Sequence, residues 1–381
     1  MRRTFFSNVS LPFIGLCLLF ILSACSEKTE TESSAMFRAD IQRSGNFQTT
    51  GPQTKPEILW RYHAEVGASS SPVSSGNLIF SGRFDGLMLA LNNQTGEEKW
   101  RFVTQAGIFS TPAVAEEQII FGSDDKNIYA LNKYSGSFLW AFETQDKVFA
   151  SPLITNDLVL VGSLDHFFYA IDRHSGELKW RIKTGGHVDS SAARHGDTLY
   201  FGSDDGLLYA VSMDGEMLWN LDTGAPIDAS PVIASDDNML YVGNDAGVLF
   251  AVDLETGQSV WNFESGSRLF ASAALKDQQI IFAATDGRVF ALNKESGEPF
   301  WQFDAQATVF SSPAIAGDQV YIGAMDGYLY ALDINNGEQK WRLDSGWAIF
   351  ASPFVDNGIL YISSDDGDLL GLIDLSSPPL L

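Results

Sequence analysis

From about residue 58 onward the chain alternates short apolar runs with clusters of turn residues, and within each run apolar and polar positions alternate. A period of two places successive side chains on opposite faces of a strand, so the pattern predicts β-structure. Residues 148–183 show the unit. Val148 to Ile154, Leu158 to Gly162, Phe167 to Ile171 and Leu178 to Lys183 read as four strands. Asn156-Asp157, Leu164-Asp165-His166 and Ser175-Gly176 separate them, as hairpin turns require. No helical periodicity competes after residue 37.

The unit repeats. Trp60, Trp100, Trp140, Trp180, Trp219, Trp261, Trp301 and Trp341 are spaced by 40, 40, 40, 39, 42, 40 and 40 residues. A glycine stands four residues before seven of them, at Gly96, Gly136, Gly176, Gly215, Gly257, Gly297 and Gly337. An alanine precedes each of these glycines, at Ala90, Ala130, Ala170, Ala210, Ala251, Ala291 and Ala331. A Ser-Pro, Thr-Pro or Ser-Ala pair follows each Trp, as at Ser151-Pro152 and Ser352-Pro353. Four strands in about 40 residues match a propeller blade, which must stack on neighbours to bury both faces. Trp60 lies on a strand, Ile58 to Tyr62, with no blade before it, whereas the last unit, from about residue 349 to 375, has only three strands. The expectation is an all-β, eight-bladed β-propeller of four-stranded antiparallel blades over residues 58–375. Its last blade is closed by the N-terminal strand, which removes exposed sheet edges at the seam.

The N-terminus follows different rules. Arg2 and Arg3 precede an apolar run from Leu11 to Leu22 that is too short to span a bilayer but fits a secretory signal. It ends Leu22-Ser23-Ala24-Cys25, which resembles the bacterial lipobox; in that family the signal is cut before the Cys and the thiol carries a diacylglycerol. The resemblance implies residues 1–24 as a lipoprotein signal peptide and Cys25 as the lipidated (palmitate-type) anchor. Ser26, in place of Asp, resembles the outer-membrane-sorted class. Residues 25–36 read as a flexible tether, 37–57 as a leader segment and 376–381 as a C-terminal tail.

Composition narrows the partners. The formal charge is −24, which disfavours nucleic acid and anionic lipid headgroups. The only cysteines are Cys17 and Cys25, so the folded body has no disulfide, no thiol nucleophile and no Cys-ligated zinc. No catalytic set appears: there is no nucleophile elbow, no His-Glu-x-x-His, no phosphate loop and no dinucleotide fingerprint.

The unit running Ala170-Ile-Asp172 through Gly176 to Trp180, repeated at Ala251-Val-Asp253 to Trp261 and Ala331-Leu-Asp333 to Trp341, resembles the tryptophan-docking motif of the quinoprotein-like (PQQ-like) propellers. Asn replaces Asp at Asn92, Asn132 and Asn293, and Ser212 replaces it in the fourth blade. The resemblance implies that the eight register tryptophans wedge between blades. Phe37-Arg38-Ala39-Asp40 with Arg43-Ser44-Gly45 resembles the leader of many PQQ-like repeat proteins. The branch of PQQ-dependent dehydrogenases carries long insertions and a vicinal disulfide that this chain lacks, so PQQ is not expected. The BamB branch, lipoproteins of the outer-membrane β-barrel assembly machinery, has a lipobox and eight short blades. That likeness implies a non-enzymatic scaffold on the periplasmic side of the outer membrane, with a BamA-type barrel-assembly complex as partner. A quinone-binding or dehydrogenase-type propeller and a periplasmic peptide- or glycan-binding module remain alternatives.

One ring of equivalent positions stands out. Three residues before the Pro or Ala of each pair lie Ser69, Phe109, Phe149, Asp189, Asp228, Phe270, Phe310 and Phe350, at the expected mouth of the central channel. The phenylalanines are expected to pack between blades as core. Asp189 and Asp228 break the apolar rule and could bind a cation, share a proton or pair with a base. Lys147, His187 and Arg268, two residues before ring positions, supply candidate bases; no metal site is assigned. Trp347, out of the tryptophan register, is a candidate partner contact. The repeated Asp-Gly and Asp-Asp-Gly sequences, such as Asp204-Asp205-Gly206, are read as tight-turn chemistry.

Overall fold

The computed structural model describes residues 35–376. The signal peptide, Cys25, the tether as far as residue 34 and residues 377–381 lie outside the described residues. The body is eight four-stranded antiparallel sheets in a ring. The first blade runs Val73–Ser75, Leu78–Gly82, Leu87–Asn92 and Glu98–Val103, and six more follow in sequence order. The eighth is split as the pattern predicts. Phe354–Asp356, Ile359–Ser363 and Asp368–Ile373 are completed by Glu57–His63, which pairs antiparallel from Glu57↔Ile373 to His63↔Asp368.

First strands of neighbouring blades touch, as those of blades two and three and of blades four to eight do, and so line the channel. These strands are shorter than expected. In the third blade only Leu153–Ile154 pairs with the next strand; residues 148–152 do not. The reason is that this segment bonds to neighbouring elements instead. The backbone N–H of Ser71 donates to Thr111 Oγ1, Thr111 to Ser151, Ser151 to Ser191, Ser191 to Ser230, Ser230 to Ser272, Ser272 to Ser312, Ser312 to Ser352, and Ser352 back to Ser71. The eight bonds measure 2.8–3.2 Å and form a closed circle with one hydroxyl per blade. This is what the recurring Ser-Pro and Thr-Pro pairs are for.

The outer seam is made by the tryptophans. Each lies directly across the strand pair from the recurrent alanine, as Trp140 from Ala130, leaving room for the ring; Gly371 takes that place opposite Trp60. Its indole N–H donates to a carbonyl in the next blade, as Trp100 to Lys133 at 2.8 Å and Trp140 to Arg173 at 2.8 Å. The motif glycine of that next blade sits under the ring. A Cβ at Gly176 would stand 2.8 Å from Trp140, and its φ of +74° already excludes most side chains. Trp341 Nε1 has no partner among the described residues, because the eighth blade takes its outer strand from the N-terminus and lacks the hairpin that supplies the carbonyl elsewhere. The motif's Asp needs only an acceptor oxygen. Asp172 Oδ1, Asn92 Oδ1 and Ser212 Oγ all receive the turn's backbone N–H groups, which is why Asn and Ser substitute.

The leader is not a separate segment. Ala35 bridges Val114, and the carbonyls of Ile41, Gln42, Ser44 and Gly45 accept from the innermost strands of blades four to seven. Asn46–Phe47 then adds a parallel strand to Ala314–Ala316 of blade seven. Met36 is fully buried, so the tether ends earlier than the expected residue 36. Arg38 and Arg43 lie inside the channel with no salt-bridge partner among the described residues. Arg38 donates to the carbonyls of Pro313 and Ala273, and Arg43 to those of Phe37, Ala192, Ser151 and Pro152. Burial pulls their guanidinium pKa values to about 9 and about 10, opposed by Asp40. Arg38, Ala39 and Arg43 hold φ of 65°, 74° and 60°, each costing roughly 1–2 kcal/mol, so the leader is pinned by its bonds rather than by local preference.

Two outcomes are expected. Ser191→Ala opens one link of the hydroxyl circle and strands the buried N–H of Ser151, lowering unfolding free energy by about 1–3 kcal/mol in denaturant titration. Arg43→Met strands several carbonyls at once and costs roughly 2–4 kcal/mol, and Arg43→Lys does not restore it because a single ammonium cannot reproduce the fork.

Candidate functional site

Where the leader closes one end of the channel, the other end is left as a cup of about 720 Å³. Phe37 and the eight hydroxyls of the circle line its lower part. The ring seen in the sequence stands two residues before those hydroxyls, and all eight of its members line the cavity: Ser69, Phe109, Phe149, Asp189, Asp228, Phe270, Phe310 and Phe350. The phenylalanines are therefore not core between blades. Phe109 and Phe270 are 36% and 40% exposed. They form two aromatic runs, Phe84–Phe109–Phe149 and Phe270–Phe310–Phe350, with ring centroids 5.0–5.5 Å apart. The expectation fails because the ring lies ahead of the paired strand, on backbone that turns its side chains into the channel.

Between the two runs lies an acidic arc. Asp189 and Asp228 face the cup as expected, and Asp204 and Asp245 join them from the next hairpins. Oxygens of Asp189, Asp204 and Asp228 lie within 4.8 Å of one another. Asp204 corrects the turn reading of Asp204-Asp205-Gly206. Its neighbour Asp205 does the turn chemistry, accepting from the backbone N–H of Leu207 at 3.0 Å and from Gly185 at 2.7 Å, while Asp204 faces the cavity. Nothing in the sequence separates the two Asp residues except position: the first of each such pair falls on the cup side of the strand end.

The candidate bases divide differently from the expectation. Arg268 lines the cup and bridges Asp228 and Asp245, at 2.6 Å to the latter, and it lies 5.2 Å from the Phe270 ring centroid. His187 Nδ1 is 3.2 Å from Asp204 and reaches the arc only through it. Lys147 is 2.9 Å from Asp124, one blade back, and is not part of the arc. Trp347, 60% exposed, does not line the cup. Asp189 is thus left without a cation. Its Oδ1 is shut from solvent and has no hydrogen-bond partner among the described residues. Burial, then the charges of Asp204 and Asp228, push its pKa up to about 7, with Arg268 opposing. Asp204 is also raised, by burial and by Asp228, against the pull of His187.

Outside the cup, the outermost strand of each blade pairs on one side only. The positions just before several docking tryptophans are apolar and exposed. Phe138 and Leu139 are 55% and 44% exposed, and Met217 and Leu218 are 43% and 51%.

A raised carboxyl pKa favours folding while the group is protonated, and that contribution is lost as pH rises from the ordinary carboxyl range through about 7. Asp189→Asn is therefore expected to raise the melting temperature by a few degrees at pH 8, with the difference from the parent vanishing as pH falls below about 4. A thermal-melt series across pH checks this.

Known proteins share the fold. A family profile described as the β-propeller of the beta-alanine-activating enzyme matches residues 154–376, and one described as outer membrane protein assembly factor BamB matches residues 53–147. The beta-alanine-activating enzyme of Danio rerio is 39% identical over 61 residues, which are 16% of this chain and 5% of that protein. Among solved structures, BamB from Moraxella catarrhalis has a TM-score of 0.74 at 20% identity, covering 84% of this chain and 98% of that one. The quinohemoprotein alcohol dehydrogenase from Comamonas testosteroni has a TM-score of 0.79 at 13% identity, covering 91% and 81%. The computationally designed Ika8 protein has a TM-score of 0.75 at 19% identity, covering 84% and 99%. At such identities the likeness establishes the propeller and nothing finer.

Proposed function

We propose, from the premise that this chain belongs to the family of the beta-alanine-activating enzyme β-propeller and carries the PQQ-like fold, that it is a non-enzymatic scaffold of the BamB kind. It assists β-barrel assembly at the outer membrane by protein–protein contact, held there by a lipid on Cys25. The observation that carries this reading is the outer rim. Exposed apolar pairs such as Phe138-Leu139 and Met217-Leu218 sit on strands whose outer backbone edge is unpaired. Natural sheets blunt such edges with charge or proline, and an edge left apolar suits the addition of a strand from another chain. A barrel precursor or its assembly partner is a supplier of such strands.

The dehydrogenase reading loses ground on charge. PQQ is a tricarboxylate, whereas the cup lining holds Asp189, Asp204, Asp228, Asp245 and Asp365 against a single guanidinium, Arg268, already engaged with two of them. That donor set does not fit a polyanion, and no catalytic role is assigned to the cup.

Affinity purification of the full-length lipidated protein from detergent-solubilised outer membranes tests the reading. A BamA-type barrel is expected to co-purify, and Phe138→Ser with Leu218→Ser to reduce its recovery several-fold at unchanged melting temperature. Recovery of the protein alone, or equal recovery with the double variant, counts against it.

A further inference from the structure

The cup is built for something other than the rim. It is deep, floored by the leader and walled by two aromatic runs, and its volume of about 720 Å³ suits a small ligand. Its polar groups are one-sided. Arg268 is shared between Asp228 and Asp245, and His187 stands beside Asp204, but Asp189, which lines the cup, has no salt-bridge partner among the described residues. Asp189, Asp204, Asp228 and Asp245 thus share one guanidinium in the lining, and the arc holds more negative charge than that cation offsets.

We propose that the cup binds a small organic cation bearing N–H groups on an aliphatic chain, that is, a linear alkylammonium or polyamine. Three features of the geometry select this class. The Asp189 carboxylate lines the cup without a cation partner among the described residues, and it accepts a hydrogen bond that an ammonium N–H supplies and a quaternary ammonium does not. Phe149 and Phe270 flank the acidic arc, and their ring faces attract a cation as they attract Lys147 and Arg268, whose charged ends lie 5.4 and 5.2 Å from the two centroids. The remaining wall, Phe310, Phe350 and Phe109, is apolar and matches methylene spacers between nitrogens. The hydroxyls below accept only backbone N–H groups within the circle, so each keeps capacity for a second partner. A divalent metal on the three carboxylates would use the arc but leave the aromatic wall without a role.

Isothermal titration of the purified full-length protein in detergent tests this without any barrel partner, so its outcome is independent of the scaffold reading. Spermidine is expected to bind saturably at pH 8. Asp189→Asn, which is expected to fold at least as well as the parent, is expected to weaken binding at least tenfold, and Phe310→Leu several-fold. Binding is expected to weaken from pH 8 to pH 5.5 as Asp189 takes up a proton, a titration faced by Asp204, Asp228 and Asp245 on one side and by Arg268 and His187 on the other. Hexamethonium, a bis-quaternary cation without N–H groups, is expected to bind far more weakly. Absence of saturable spermidine binding overturns the proposal. So does equal binding of hexamethonium, unchanged affinity in Asp189→Asn, or Ca²⁺ binding that spermidine cannot displace.

Discussion

The circle of eight backbone-to-hydroxyl bonds is the constraint on which the rest of the molecule depends. Each bond satisfies a buried N–H that a sheet would otherwise have to pair, and it does so across a blade boundary. That choice ends the innermost strands early. It frees the preceding residues to turn their side chains into the channel, which is why a ring of phenylalanines and aspartates faces a cavity. The outer tryptophan seam, with its indole bond and its glycine seat, fixes the same boundaries at larger radius.

The leader shows how a channel with identical walls becomes a site with two different ends. The inner strands present unpaired N–H groups at one end, and the leader's carbonyls meet four of them in turn. Its two arginines reach the carbonyls of the opposite sense. An open pore is thereby converted into a cup whose floor is the chain's own Phe37. The strained backbone at Arg38, Ala39 and Arg43 is tolerated because each turn is fixed at several points.

The rim and the cup suggest a division of labour within one fold. The rim offers backbone edges and apolar side chains, which suit another polypeptide; the cup offers an unpaired carboxylate among aromatic rings, which suits a small cation. Neither property is dictated by the propeller architecture itself. Both reside in the side chains that this chain places on it.

The sequence by itself determined the blade count, the split eighth blade and the identity of the channel ring. These follow from periodicity, and periodicity survives folding because every blade obeys the same local rules: Ala opposite Trp, Gly beneath it, an acceptor at the turn. It also singled out Asp189, Asp228 and Arg268, since a charge at an otherwise apolar repeat position is visible without coordinates. Only the tertiary structure decided what these residues face. Whether Phe109 packs inside or lines a cavity depends on where its strand stops pairing, and that is fixed by a hydroxyl about 40 residues away in sequence, Ser151 for Thr111. Which Asp of the Asp204-Asp205 pair belongs to the turn, which carboxylate Lys147 chooses, and that residues 37–47 seal the channel are likewise matters of position in space. A repeat makes equivalent residues look alike in sequence, and only closure of the ring shows which of them are left without a partner.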